Sequence, residues 1–557
     1  MGIEHRPFRR RVLAAAVVCA TAVAVPVSAA LAAPEPTPPP SPASPRTAPA
    51  AADVGSVAPV EWGACDPGSV EQVPPEQLHL YSCASYPVPI DHDDPASGTV
   101  DLALMRRAAA TPDARVGSLF LNPGGPGGSG LTLPATGETF FARPVLDRFD
   151  LIGFDPRGVG ASAPLRCFTT AEEAAANLAK QVVMPVSEAE IESTLGAYRE
   201  YGDYCARNAG PLIDHMSTKD VTRDLDLLRA AAGEEELNFA GLSYGTLIGA
   251  TYANMFPERT RAMVLDGNVD PALRTGDGLR YDRERTDGFD IALDAYLAEC
   301  TADAARCAFS DGDPRAKFEA LRTHLRNQPI TLPDGTTVDL SLFTGNTMSA
   351  LNVPGLFPGL AEDLQVLYSL IDPAATATRA ATGREALPTL LAARPHPRTD
   401  ADPRTPYTAD DSYLGVNCTD KPFGNTQDEI PAIAGEWETA SPAFGRSQAF
   451  ADPAGCPVWP NAEPDTYTGP WNAATPNPLL LVGNYYDPAT PYVFSQRMAA
   501  QLGNARLVTA DAHGHCVLGS STPIDDLAAE YLITLAVPAQ GQVFPTDARP
   551  FDPAPPA

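Results

Sequence analysis

Gly241-Leu-Ser243-Tyr-Gly245 sets one serine between two glycines. It follows the apolar run Leu237-Asn-Phe-Ala and precedes a second, Thr246-Leu-Ile-Gly-Ala-Thr-Tyr-Ala. The first run reads as a short buried strand and the second as a helix. A serine at such a corner is either a helix cap or an exposed nucleophile. The G-x-S-x-G spacing favours the nucleophile. A strained turn projects the hydroxyl beyond the sheet, and the glycines let strand and helix close on each other.

A serine hydroxyl needs a general base, and the base needs an orienting group. Asn484-Tyr-Tyr-Asp487-Pro-Ala-Thr490-Pro follows the strand-like run 478–484, and Asp511-Ala-His513-Gly514-His515-Cys516 follows another at 505–510. Singly, Asp487 reads as a turn residue and each histidine as a loop residue. Together they give nucleophile, acid and base in the order Ser243, Asp487, His515, each at the C-terminal end of a strand, where open α/β sheets build their sites. His515 is preferred to His513 because Gly514 permits the tight loop that turns the ring back to the sheet. Asp511 is too near in sequence to orient His515 from a neighbouring strand. Thr490 caps a helix or steadies the Asp487 loop, and Cys516 reads as a packed thiol, with a free thiol near the base as the alternative.

Acyl transfer also needs donors for the oxyanion. One is the Tyr244 amide, after the nucleophile. The other comes from the glycine run Asn122-Pro-Gly-Gly-Pro-Gly-Gly-Ser-Gly130, with Gly125 preferred to Gly124. The same run matches G-x-G-x-x-G, a dinucleotide fingerprint. However, no acidic residue closes the next strand on schedule, and no G-K-[ST] follows for a phosphate-cradling loop.

The elements that position these groups alternate. Strand-like runs at 117–121, 149–155, 237–241 and 262–266 are interleaved with helical patterns such as 220–232. That rhythm predicts an α/β fold, a mostly parallel sheet covered on both faces. It fades between 281 and 465, where helical stretches (289–300, 314–327) and proline-rich loops predict an inserted helical cap, then resumes. The domain reading is a core over 59–280 and 466–537, a cap over 281–465 and a proline-rich tail over 538–557.

The N-terminus reads as a leader. Arg6, Arg9, Arg10 and Arg11 precede an apolar stretch ending in Ala30-Leu31-Ala32. This predicts a secretory signal peptide over 1–32, with a membrane anchor as the alternative that Pro26 weakens. A Pro/Ala-rich linker spans 33–58. Cysteine usage agrees with export: Cys65 with Cys83, Cys167 with Cys205, Cys300 with Cys307 and Cys418 with Cys456 read as disulfides between near neighbours, leaving Cys516 unpaired. No C-x-x-C spacing or histidine cluster suggests zinc. With 557 residues and a formal net charge of −30, the chain lacks the basic face that a nucleic-acid partner requires. No later segment is apolar enough to span a bilayer.

Asn122-Pro-Gly-Gly-Pro-Gly, Asp155-Pro-Arg-Gly-Val-Gly-Ala-Ser162, Gly-Leu-Ser243-Tyr-Gly-Thr, Val264-Leu-Asp-Gly-Asn-Val-Asp-Pro271, Asp487-Pro-Ala-Thr-Pro and Gly514-His-Cys resemble the secreted tripeptidyl aminopeptidase branch of the α/β-hydrolases, related to proline iminopeptidases. The resemblance runs from about residue 59 to 535 and is weakest in the cap. It implies a secreted serine exopeptidase with an α/β-hydrolase fold, acting on peptides with free N-termini. Ser243, Asp487 and His515 would form its triad, and it would need no cofactor. In the iminopeptidases a histidine opens the glycine motif; here Asn122-Pro123 stands there. A cap carboxylate should hold the substrate ammonium, and Asp420 and Glu429 are the candidates. An esterase with the same triad, or a non-catalytic binding protein on this fold, are the alternatives.

Overall fold

The computed structural model describes residue 53 and residues 55–372, 387–392, 406–461 and 464–552. The expected signal peptide (1–32) and nearly all of the expected linker lie outside the described residues. A nine-stranded sheet has the order β1-β2-β4-β3-β5-β6-β9-β10-β11. Its strands are β1 (Tyr81–Pro89), β2 (Thr99–Arg107), β3 (Gly117–Asn122), β4 (Phe149–Phe154), β5 (Leu237–Leu242), β6 (Thr260–Asp266), β9 (Leu479–Tyr486), β10 (Ala505–His513) and β11 (Val543–Pro545). β7 (Ile330–Thr331) and β8 (Thr337–Val338) form a separate hairpin. β1 and β2 are antiparallel to their neighbours, and the remaining pairs of the large sheet are parallel.

Strands covered on both faces should be apolar throughout. All of β3 and β4 is buried, and consecutive residues serve opposite faces: Leu119 and Leu121 pack with Val264, Leu480 and Leu532, while Phe120 packs with Phe239, Leu247 and Phe494. β2 instead begins with alternating exposed and buried residues, as a strand with one solvated face does. The helix Gly245–Met255 is buried along almost its whole length, which explains why its sequence is apolar on every side.

Among the described residues between β6 and β9, the regular elements other than the β7–β8 hairpin are helices. The helices Gly278–Ala302, Pro314–Asn327, Leu340–Leu351 and Phe357–Ile371 enclose their own core around Tyr296, Phe318, Phe343 and Leu364. Two features differ from the sequence reading. The segment between β4 and β5 also builds the cap side: Leu195, on the helix Glu188–Asn208, packs with Ile430 and Trp437, and Met184 joins the Tyr296 cluster. The expected tail, 538–557, belongs to the fold as far as it is described. β11 pairs with β10, and Phe551 is buried against Tyr296 and Phe357. Proline content hid it, because β11 is a three-residue edge strand.

All four expected cysteine pairs are disulfides: Cys65–Cys83, Cys167–Cys205, Cys300–Cys307 and Cys418–Cys456. Cys516 is free. No described helix is long and apolar enough to cross a membrane.

Candidate active site

Ser243 follows β5 directly and has φ +55°, a left-handed conformation that costs a non-glycine residue energy. The turn survives because its surroundings hold it. Ser243 N donates to the Asp266 carbonyl at 2.8 Å, and Thr246 donates to the Ser243 carbonyl from its amide (2.9 Å) and its hydroxyl (2.6 Å). The glycines are sterically required. A Cβ on Gly241 would lie 2.5 Å from the Gly245 carbonyl, and one on Gly245 would lie 2.8 Å from the Asn122 carbonyl.

The glycine run lies against this elbow. A Cβ on Gly124 would approach Leu242 O to 2.4 Å and both Ser243 Cβ and Tyr244 N to 2.9 Å. Asn122 Oδ1 accepts the Gly124 amide at 2.9 Å. Among the described residues the amides of Gly125 and Tyr244 have no protein acceptor, so both are free to donate. The run is tied down further on: the Ser129 hydroxyl and the Leu131 amide donate to Asp155 Oδ1, while Ala161 N donates to Asp155 Oδ2. Two residues on, Arg157 is fully buried and pairs bidentately with Asp224 at 2.8 and 2.7 Å, fixing the loop after β4.

Asp487 and His515 come together at the ends of β9 and β10. His515 Nδ1 lies 2.9 and 3.0 Å from the two Asp487 oxygens, which accept its hydrogen bond. Asp487 Oδ1 also accepts the Ala489 and Thr490 amides, and its side chain is 1% exposed. The His515 ring is 20% exposed. Burial opposes its charge, but the Asp487 carboxylate and the adjacent Cys516 together outweigh burial and hold the imidazolium well above the ordinary histidine pKa. Thr490 Oγ1 lies 3.5 Å from the same nitrogen. The His515 amide donates to Asn352 O of the cap at 2.9 Å, so the cap helps set the base loop.

His513 has a different environment. It stacks on Tyr486 at 4.6 Å and meets Phe357 edge-on, and burial pushes its pKa down to about 4. Burial likewise pushes the Cys516 thiol up to about 11, which keeps it protonated beside the base.

Ser243 Oγ makes no hydrogen bond among the described residues; its link to His515 runs through Asp266, which the sequence reading placed in a motif without giving it a role. Such contacts tighten when substrate arrives. The Asp266 carbonyl accepts Ser243 N, and its Oδ2 accepts the Val517 and Leu518 amides at 2.7 and 2.8 Å. An acid ending the strand beside the nucleophile strand was the signal available.

The two carboxylates expected to meet an ammonium are otherwise engaged. Asp420 is buried, its Oδ1 accepting Thr218 N at 3.0 Å and its Oδ2 accepting the Thr218 hydroxyl, which in turn contacts Tyr244 OH. Burial pushes its carboxyl up to about 6. Glu429 is exposed and accepts the Thr426 amide at 2.7 Å as part of a capping box.

Residues 117–290 match the family model described as alpha/beta hydrolase fold, and residues 441–544 match that of TAP-like protein. The chain is similar to serine protease Hip1 of Mycobacterium tuberculosis, 31% identical over 87% of this chain and 90% of that one. It is also similar to the tripeptidyl aminopeptidase of Streptomyces lividans, 31% identical over 81% of each. A third relative is carboxylesterase B of M. tuberculosis, 30% identical over 83% of this chain and 86% of that one. The chain is thus a serine hydrolase, and it belongs to the TAP-like family of the α/β-hydrolases.

Proposed function

We propose that the protein is an exported aminopeptidase that releases short peptides from free N-termini through an acyl-enzyme. The observation that carries the mechanism is the Asp487–His515 pair, set at adjacent strand ends beside the strained Ser243 elbow. Ser243 Oγ attacks the scissile carbonyl while His515 Nε2 takes its proton. Asp487 holds the imidazole through Nδ1 and stabilises the imidazolium. The Gly125 and Tyr244 amides receive the oxyanion. His515 then protonates the leaving amine, and water repeats the sequence on the ester. The names of the Streptomyces and Hip1 relatives support peptide substrates, and the disulfides support an oxidising compartment.

The second reading is an esterase with the same triad, favoured by the carboxylesterase B relative. One experiment separates them. Wild type and Ser243→Ala are offered fluorogenic tripeptide amides with free and with acetylated N-termini, and a short-chain aryl ester. Cleavage of the free-amine peptides alone, reduced by about 10⁴-fold or more in Ser243→Ala, is expected. Ester cleavage without peptide cleavage would move the function to the second reading. Equal turnover by both proteins would remove Ser243 as nucleophile.

A further inference from the structure

We propose that Asp266 is a positioning residue of the active centre, which couples the Ser243 elbow to the His515 loop and sets the charge of the base. This rests on the serine-hydrolase roles proposed for Ser243 and His515. Asp266 ends β6, between the nucleophile strand β5 and the acid strand β9. Its main chain faces the nucleophile: the carbonyl accepts Ser243 N at 2.8 Å and lies 3.5 Å from the Cys516 thiol. Its side chain faces the base loop: Oδ2 accepts the amides of Val517 and Leu518, which directly follow His515-Cys516. The next residue, Gly267, keeps this junction close, since a Cβ there would lie 3.2 Å from His515 Cε1 and 2.7 Å from Cys516 Sγ.

Anchoring two amides requires one neutral acceptor. A carboxylate with no exposure, and with Oδ1 lacking any hydrogen-bond partner, is more than anchoring demands. Burying such a group has a free-energy cost. The charge gains a purpose from what surrounds it: the Asp487 carboxylate, the His515 imidazole and the Cys516 thiol all interact with it. When His515 becomes an imidazolium in the transition state, Asp266 supplies a second anion, one residue before Gly267, whose position lies within contact distance of the His515 ring. Burial pushes the Asp266 carboxyl up to about 6, partly countered by the Leu518 and Val517 amides, so it already carries its charge across the higher range in which His515 loses its proton.

Asp266→Asn keeps an oxygen for the two amides and removes the charge. The test is a titration of the His515 imidazole by histidine-selective NMR in wild type and Asp266→Asn, with His515→Gln for assignment and pH profiles of kcat and KM alongside. The expected result is a His515 pKa about one unit lower, an acid limb moved to lower pH and kcat reduced about tenfold with little change in KM. A lowered Tm with the His515 pKa and acid limb unchanged would be a structural anchor only and would overturn the proposal. If Asp266→Asn does not fold, the wild-type titration decides: His515 must show a second inflection near pH 6, and a single-step curve overturns the coupling. The NMR readout does not depend on turnover. A wild type inert towards peptides and esters would sink the enzymatic reading, and a two-step His515 curve in it would still support the coupling.

Discussion

Gly124→Ala is the sharpest test of how the glycine run meets the elbow. Two costs add at this position. Gly124 has φ +90°, where an L side chain is strained by about 1–2 kcal/mol. Its new Cβ would lie 2.4 Å from Leu242 O and 2.9 Å from Tyr244 N, where ordinary contact begins at 3.4 Å, so the carbonyl must retreat by about 1 Å and the amide by about half that. Overpacking of this kind costs a further 1–3 kcal/mol or so. The atoms forced to move belong to the residues on either side of Ser243, and one of them is the proposed oxyanion donor. A displacement near 1 Å at reacting groups lowers rates by about 10²-fold, similar to losing one oxyanion donor. Gly233→Ala is the control: it has φ +82° but meets nothing within 4 Å, so it should carry the backbone strain alone. Thermal unfolding and steady-state kinetics of both variants are compared with wild type. Both should lose stability, Gly124→Ala more, and only Gly124→Ala should lose kcat, with KM nearly unchanged. Equal kcat in the two variants would refute the close approach of the run to the elbow.

The raised His515 pKa has a signed consequence for kcat/KM. The base must be neutral to accept a proton, so activity should fall as pH drops through a value above the ordinary histidine range, and Asp487→Asn should move that limb to lower pH while cutting kcat by about 10⁴-fold. A limb that stays in place in Asp487→Asn would remove the pair as its source. Arg157→Lys keeps the charge but loses the bidentate fork to Asp224, so it should destabilise the protein by about 3 kcal/mol, read by denaturant unfolding; a loss under about 0.5 kcal/mol would contradict the burial of that pair. Phe551→Ala should cost about 3–4 kcal/mol, whereas a free tail would show no change in melting.

What could be read without coordinates follows from how each part is stabilised. β3, β4, β5, β6, β9 and β10 are interior parallel strands, and their burial on both faces writes itself into the chain as apolar runs. Ser243, Asp487 and His515 stand directly after such runs, so their positions were legible with the strands. β1 was not, because Tyr81-Ser-Cys-Ala-Ser-Tyr-Pro-Val-Pro is a polar edge with prolines, held by pairing to β2 and by Cys65–Cys83. The helix Glu188–Asn208 carries charge along most of its length, and only contact with the cap shows what it covers. Asp266 was hidden for another reason. Its place at a strand end was legible, but its significance lies in joining residues about 23 positions before it and 250 after, which the strand pattern alone does not record.

As far as it is described, the C-terminal segment leaves the sheet at β11 and places Phe551 in the cap core and Asp552 against Arg306. An inserted domain held by its two connections can rock about the line joining them. A further attachment, added to the packing of Leu195 and Met184 and to the His515–Asn352 bond, restricts that motion. A cap tied at this further point has less freedom to swing than its chain connections alone would leave it.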